Sequence, residues 1–256
     1  MKTEKPLVYF VLGAAGSGRR EVVADLIAAG LDAAEPAAVL LAESEAASAA
    51  DEKLGAVARW RWTEENTIAA EWPAGAKKVF FVADGRRNPV DQLEALVGWL
   101  AARGAELARV LCVVNCQLAE KHPPLLAWFD ACVHFSDVVL LNRREGVANK
   151  WLSDFQARYR DQFIPCLFEF VKGGVVRNPA LVLEPQARRM SHAFDEDKEW
   201  FVTTKDGEKR STDELEDDEE QEGEEEVEVT PEEEPYFTRD AAGRRAKRIP
   251  DVAQFL

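Results

Sequence analysis

The chain has 256 residues, 46% of them hydrophobic, which suffices for one sizeable α/β domain with appendages. No apolar run approaches the roughly 18 residues that a membrane helix needs. The formal net charge of −15 is local: Thr212 to Glu234 holds fifteen acidic residues and no basic one, so 32 of each sign remain elsewhere and no basic excess is left to attract nucleic acid.

Taken in chain order, the first element expected is a strand, "LVYFVLG" at 7 to 13, followed by "GAAGSGRR" and a helix, "RREVVADLIAAG". "AAVLLA" at 37 to 42 reads as another strand and "VFFVADG" at 79 to 85 as the next. "PVDQLEALVGWLAARG" has helical periodicity through Leu93, Leu96, Val97 and Leu100, and Gly104 closes it. "VLCVVNC" at 110 to 116 and "VVLLNR" at 138 to 143 are further strands, separated by a helical "LLAWFDACVHFSD" and followed by a helical "NKWLSDFQARYRDQF". "CLFEFVKGG" at 166 to 174 and "VVRNPALVLE" supply a last strand and a closing element. Continuous apolar runs are covered on both faces, and alternation of strand with helix points to a doubly wound, mainly parallel sheet of the P-loop NTPase-like kind.

The expected organisation is an α/β domain over 1–192, an acidic tail over 193–235 that cannot bury enough apolar surface to fold, and a basic, then apolar segment over 236–256. In that last segment Arg244, Arg245, Lys247 and Arg248 could engage the acidic stretch or an acidic protein partner, while Ile249, Val252, Phe255 and Leu256 dock on apolar surface. The opening residues lack the apolar core and cleavage site of a secretory signal, so the cytoplasm is the expected location. Four cysteines with no CxxC pair and three scattered histidines argue against a metal site.

Ligands of open parallel sheets sit beyond the carboxyl ends of the strands. There the chain places Gly13 to Arg20, Asp84 with Gly85, Asn115, and Asn142 to Glu145. "GAAGSGRR" has the spacing of the phosphate loop GxxxxGK[ST], with Arg19 and Arg20 in place of the lysine and the hydroxyl residue. Gly13, Gly16 and Gly18 let the backbone curl its N–H groups toward an anion, Ser17 lies within the curve, and the following helix adds its positive end. Arg19 keeps a positive charge with altered geometry. Arg20 removes the hydroxyl that would hold Mg2+, which argues against the metal and against efficient hydrolysis. A glycine-rich turn that binds nothing has the same sequence signature.

The segments "VFFVADGRRNPVDQL" and "HFSDVVLLNRREGV" resemble two signatures of the CobW-type family of P-loop GTPases and metal-handling proteins. Gly85 and Pro89 fall on the glycine and proline of ExxGxxxP, and Asn142, Arg143, Arg144 and Glu145 on the guanine motif NKxD. The resemblance spans residues 7 to 183 and implies phosphate contacts from Gly13, Gly16, Ser17, Gly18, Arg19 and Arg20. It also implies base contacts from Asn142, Arg143 and Glu145, and GTP as the ligand. Val82 stands where the family has a glutamate, with Asp84 two residues on, and the family's CxCC metal motif is absent. The expectation is a degenerate GTP-binding protein that hydrolyses poorly or not at all. The alternatives are a scaffold that keeps the fold with an empty site and works through its tail, and an active enzyme in which Asp84 restores a metal site.

Overall fold

A computed structural model describes residues 5–32, 35–195, 200–203, 209–211, 228–231 and 233–256. Contacts divide the chain into two units, Met1–Met190 with Arg248–Leu256, and Ser191–Lys247.

The first unit is built on a nine-stranded sheet in the order β4-β3-β2-β5-β1-β6-β7-β8-β9. Its elements in chain order are β1 (Leu7–Leu12), α1 (Arg19–Gly30), β2 (Ala37–Ala42), β3 (Ala56–Trp62), β4 (Ile68–Ala69), β5 (Lys78–Val82), α2 (Pro89–Ala101) and β6 (Glu106–Asn115). They continue as α3 (Cys116–Lys121), α4 (Leu126–His134), β7 (Val138–Asn142), α5 (Asn149–Arg160), β8 (Leu167–Lys172), β9 (Val175–Val176) and α6 (Pro179–Leu183). The seven long strands pair in parallel, and β4 and β9 close the two edges antiparallel. The doubly wound, mainly parallel α/β fold expected from the apolar runs is therefore present.

Alternation along β1 and β5 loads both faces. Tyr9 stacks on Phe80 at 5.0 Å on the face of Val22, Val23 and Leu26, and Phe10 meets Phe81 at 5.5 Å on the other, where Trp99 packs against Phe81. Each such ring contributes about 1.5–3 kcal/mol by leaving water. Gly30 lets α6 approach α1: a Cβ there would stand 2.8 Å from Leu183 Cδ1.

One expectation fails in detail. Strand and helix do not alternate between β2 and β5: a 3-10 turn over Ala49–Lys53 leads into β3, and β4 follows without a helix. "AVARWRW" is strongly β-forming, and burial of Trp60 against Phe81 at 5.0 Å, with its indole N–H donated to Val82 O at 2.9 Å, fixes it in the sheet.

The crossover from β1 runs toward β2 and those from β5 and β6 run the other way, so the loop after β1 lies at a topological switch point. Within the C-terminal segment, Val252 is buried in the first unit and Phe255 lies 5.3 Å from the His122 ring.

The second unit contains a three-stranded antiparallel sheet of β10 (Trp200–Thr203), β11 (Lys209–Ser211) and β12 (Glu228–Pro231), with β10 central. The acidic tail expected over 193–235 thus carries short strands at its described positions, and its most acidic part, 212–227, lies outside the described residues. In the same unit Asp240 pairs with Arg244 at 3.0 Å, and Lys247 lies 4.2 Å from the Tyr236 ring centre. Among the described residues no helix is long and apolar enough to cross a membrane.

Candidate functional site

The carboxyl ends of β1, β2, β5 and β7 converge on one cleft of about 320 Å³, lined by Ala15, Gly16, Gly18, Glu45, Arg86 and Arg143, with Arg19, Arg20 and Glu21 from α1. The loop from Gly13 to Gly18 turns out of β1 because its glycines adopt positive φ: 145° at Gly13, 79° at Gly16 and 86° at Gly18. Gly18 is the N-cap of α1, and Arg19, Arg20 and Glu21 of the first helical turn, whose N–H groups have no intrahelical partner, line the cleft.

Two neighbours hold the loop in shape. Asn142 donates from Nδ2 to Ser17 O at 2.8 Å, so close that a Cβ on Gly18 would lie 2.5 Å from that nitrogen. On the other side Ala15 N donates to Gly85 O at 2.9 Å, and a Cβ on Gly85 would lie 2.5 Å from Ala15 N. The curled shape therefore depends on glycine at positions far apart in the chain.

The two arginines of the loop have carboxylate partners. Arg19, 5% exposed, donates to Ala83 O through Nη1 and to Glu45 Oε1 through Nη2 at 2.5 Å. Arg20 reaches Glu45 Oε2 at 3.1 Å and Asp51 Oδ1 at 2.8 Å. Gly85 N donates to Glu45 Oε1 at 3.2 Å. Burial works to raise the Glu45 carboxyl, but Arg19, the Gly85 N–H and Arg20 outweigh it and hold the group below the usual carboxylate range. Arg59 fixes the backbone beneath, donating to Ala42 O and Glu45 O, each at 3.2 Å.

Asp84 is 4% exposed and fully engaged. It accepts from Ser44 Oγ at 2.8 Å and Arg86 N at 2.9 Å and pairs with Arg87 at 3.5 Å, while Gln92 clamps its backbone. Ser17 Oγ is buried without a hydrogen-bond partner, and a Cβ on Gly13 would stand 2.8 Å from it, which places this hydroxyl under the loop. Arg143, at φ 51°, lines the cleft and reaches Glu21 at 3.3 Å. Asn142 is buried against the loop, and Glu145 is exposed outside the lining, its backbone oxygen accepting from Gln117 at 2.6 Å. The structure thus gathers Gly16, Gly18, Arg19, Arg20 and Arg143 at one cleft, with Asn142 and Gly85 as its buttresses.

No protein-family model matches the sequence, and no curated protein matches it. Its fold is similar to that of a solved GTPase. That structure is the Zn(II)-bound YjiA GTPase from E. coli, 14% identical, with 78% of this chain and 72% of that chain covered and a TM-score of 0.44. A Zn(II)-bound triple mutant of YjiA GTPase gives 14% identity, the same coverage and a TM-score of 0.45.

Magnesium does not fit the side chains at this cleft. A guanidinium stands where a metal-binding hydroxyl would be, the Ser17 hydroxyl lies under the loop, and Asp84 is already held by three groups. Among the described residues no cluster of three or more His, Cys, Asp or Glu could hold a metal ion. Gly16 and Gly18 of the loop line the cleft together with four arginines, Arg19, Arg20, Arg86 and Arg143, against Glu21 and Glu45. Glu45, Ser44 and Asp51 escaped the reading of the sequence. The end of β2 was its signal, because the rule applied to the other strand ends would have singled out "ESE" at 43 to 45.

Proposed function

We propose that the chain is a CobW-like P-loop protein that binds guanine nucleotide without magnesium and does not turn it over efficiently. The observation that carries this reading is the Gly13–Gly18 loop, which opens α1 on a cleft bearing Arg19, Arg20, Arg86 and Arg143. The phosphates lie along Gly16 and Gly18 at the helix N-terminus, where backbone N–H groups and the helix dipole favour negative charge. In this reading the planar Arg143 guanidinium stacks on the base, and Glu145, exposed outside the lining, turns in from the same loop to accept from the guanine edge. Hydrolysis has little support from the side chains: Val82 carries no carboxylate and Asp84 is locked in its own network.

Calorimetric titration with guanine and adenine nucleotides, with and without Mg2+, tests the reading. Guanine nucleotides should bind more tightly than adenine nucleotides, and no more weakly in EDTA than in Mg2+, because no side chain offers a metal ligand and the metal-free nucleotide brings more negative charge to the arginines. Absence of binding at millimolar nucleotide would overturn it in favour of a protein that works through its surface. Rapid magnesium-dependent turnover would return Asp84 to a metal-binding role.

A further inference from the structure

A chain of contacts places Glu45 at the end of the cleft away from Arg143. Arg143 flanks Gly18, where its Nη2 would stand 3.5 Å from an added Cβ; the loop runs back from Gly18 through Gly16 to Ala15, Ala15 N donates to Gly85 O, and Gly85 N donates to the Glu45 carboxylate. A nucleotide with its base at Arg143 and its first phosphates on the glycine loop therefore points the end of its phosphate chain at Glu45. The donors that a terminal phosphate would use there, Arg19 Nη2, Arg20 Nη2 and Gly85 N, already converge on this one side chain at 2.5, 3.1 and 3.2 Å.

The carboxylate is not a loose surface group. Glu45 is 11% exposed on its side chain, its backbone oxygen is held by Arg59, and the adjoining Ser44 is tied to Asp84. Asp51 braces Arg20 from the other side at 2.8 Å and Ala83 O accepts from Arg19 Nη1, so that both loop arginines are pinned in the orientation that serves Glu45. A third phosphate would have to displace a fixed anion from a fixed set of donors. Like charges forced together in such a partly desolvated place cost several kcal/mol.

We infer that Glu45 acts as a built-in substitute for the terminal phosphate and makes this a site for nucleoside diphosphates that discriminates against triphosphates. The diphosphate completes an anion row that the protein's own carboxylate already ends. The inference rests on the nucleotide-binding reading above.

The test is the ratio of GTP to GDP dissociation constants, measured in EDTA on the full chain, for the wild type, Glu45→Gln and Glu45→Ala. The wild type should bind GDP at least ~10-fold more tightly than GTP, a conservative share of the repulsion expected between close like charges. Glu45→Gln keeps the shape and removes the charge, so its ratio should fall below about 2, and Glu45→Ala should follow the same direction. Equal wild-type affinities, or a ratio unaltered in the variants, would overturn the inference while measured GDP binding keeps the nucleotide reading intact. Failure of the wild type to bind either nucleotide would remove that reading and this one together. The wild-type ratio is decisive by itself if either variant does not fold.

Discussion

The two ends of the central sheet each hold ionised groups against an apolar interior, with different partners. At the amino end Arg109 is fully buried in β6 and donates through Nη1 to the carbonyls of Leu181 and Val182 at 3.0 and 3.4 Å, while its Nε and Nη2 have no hydrogen-bond partner. Beside it Asp137 accepts from Val110 N at 2.7 Å and Arg188 N at 2.6 Å and pairs with Arg189 at 3.3 Å. These partners are mostly backbone, so the end is closed by the chain itself. At the carboxyl end the partners are mainly side chains, Glu45 and Asp51 with Arg19 and Arg20, beside an open cleft. Side chains beside an open cleft can meet a ligand, whereas groups held by the backbone in the interior cannot. The difference separates a structural charge cluster from a candidate binding site.

The largest effect should come from breaking the closed end. Asp137→Ala leaves the buried Val110 N–H, the half-buried Arg188 N–H and Arg189 without their shared acceptor and should destabilise the first unit by about 3–5 kcal/mol in denaturant unfolding. A loss below ~1 kcal/mol would mean that this end is not closed in the way described. At the open end Gly85→Ala drives a Cβ into Ala15 N and the Arg19 guanidinium; it should cost about 1–3 kcal/mol and abolish nucleotide binding.

A pH series sharpens the contrast, because the two carboxyls shift in opposite directions. Glu45 is held below its ordinary 4.5, so its pH-dependent contribution is present above that value and lost as the pH falls through its lowered pKa. Burial pushes Asp137 above its ordinary 3.8 against Arg189 and the backbone donors, so its pH-dependent contribution is present below that value and declines as the pH rises. The stability difference between wild type and Glu45→Gln should therefore shrink on acidification, and that between wild type and Asp137→Asn should move the other way. The smallest effect on stability is expected for Arg143→Ala. Its partner Glu21 is an exposed ion pair worth less than ~0.5 kcal/mol, yet loss of the planar cation should weaken guanine nucleotide binding about 5-fold or more.

The strands and the glycine loop were legible because continuous apolar runs ending in glycine or polar residues leave few alternatives, and Gly13, Gly16 and Gly18 all adopt the positive φ that such a loop requires. β3 was less legible: Val57, Arg59 and Arg61 alternate with Ala58, Trp60 and Trp62, a one-sided pattern unlike the apolar runs of the other strands. The partners of Arg19 and Arg20 could not be read at all. Glu45 and Asp51 lie 25 and 31 residues from Arg20, and only the crossover from β2 to β3 brings them to the mouth of the cleft. Arg109 was equally hidden within an apolar strand, since the carbonyls that accept from its Nη1 arrive only when α6 folds over it.

Backbone amide NMR shifts on titration with GDP in EDTA test the central claim most directly, because they report both ends of the sheet in one experiment. The account predicts that Gly16 to Glu21, Gly85 and Arg143 move and reach saturation together, while Val110 and Arg188 stay in place. Shifts confined to the amino end, or none along the glycine loop at saturating nucleotide, would contradict it.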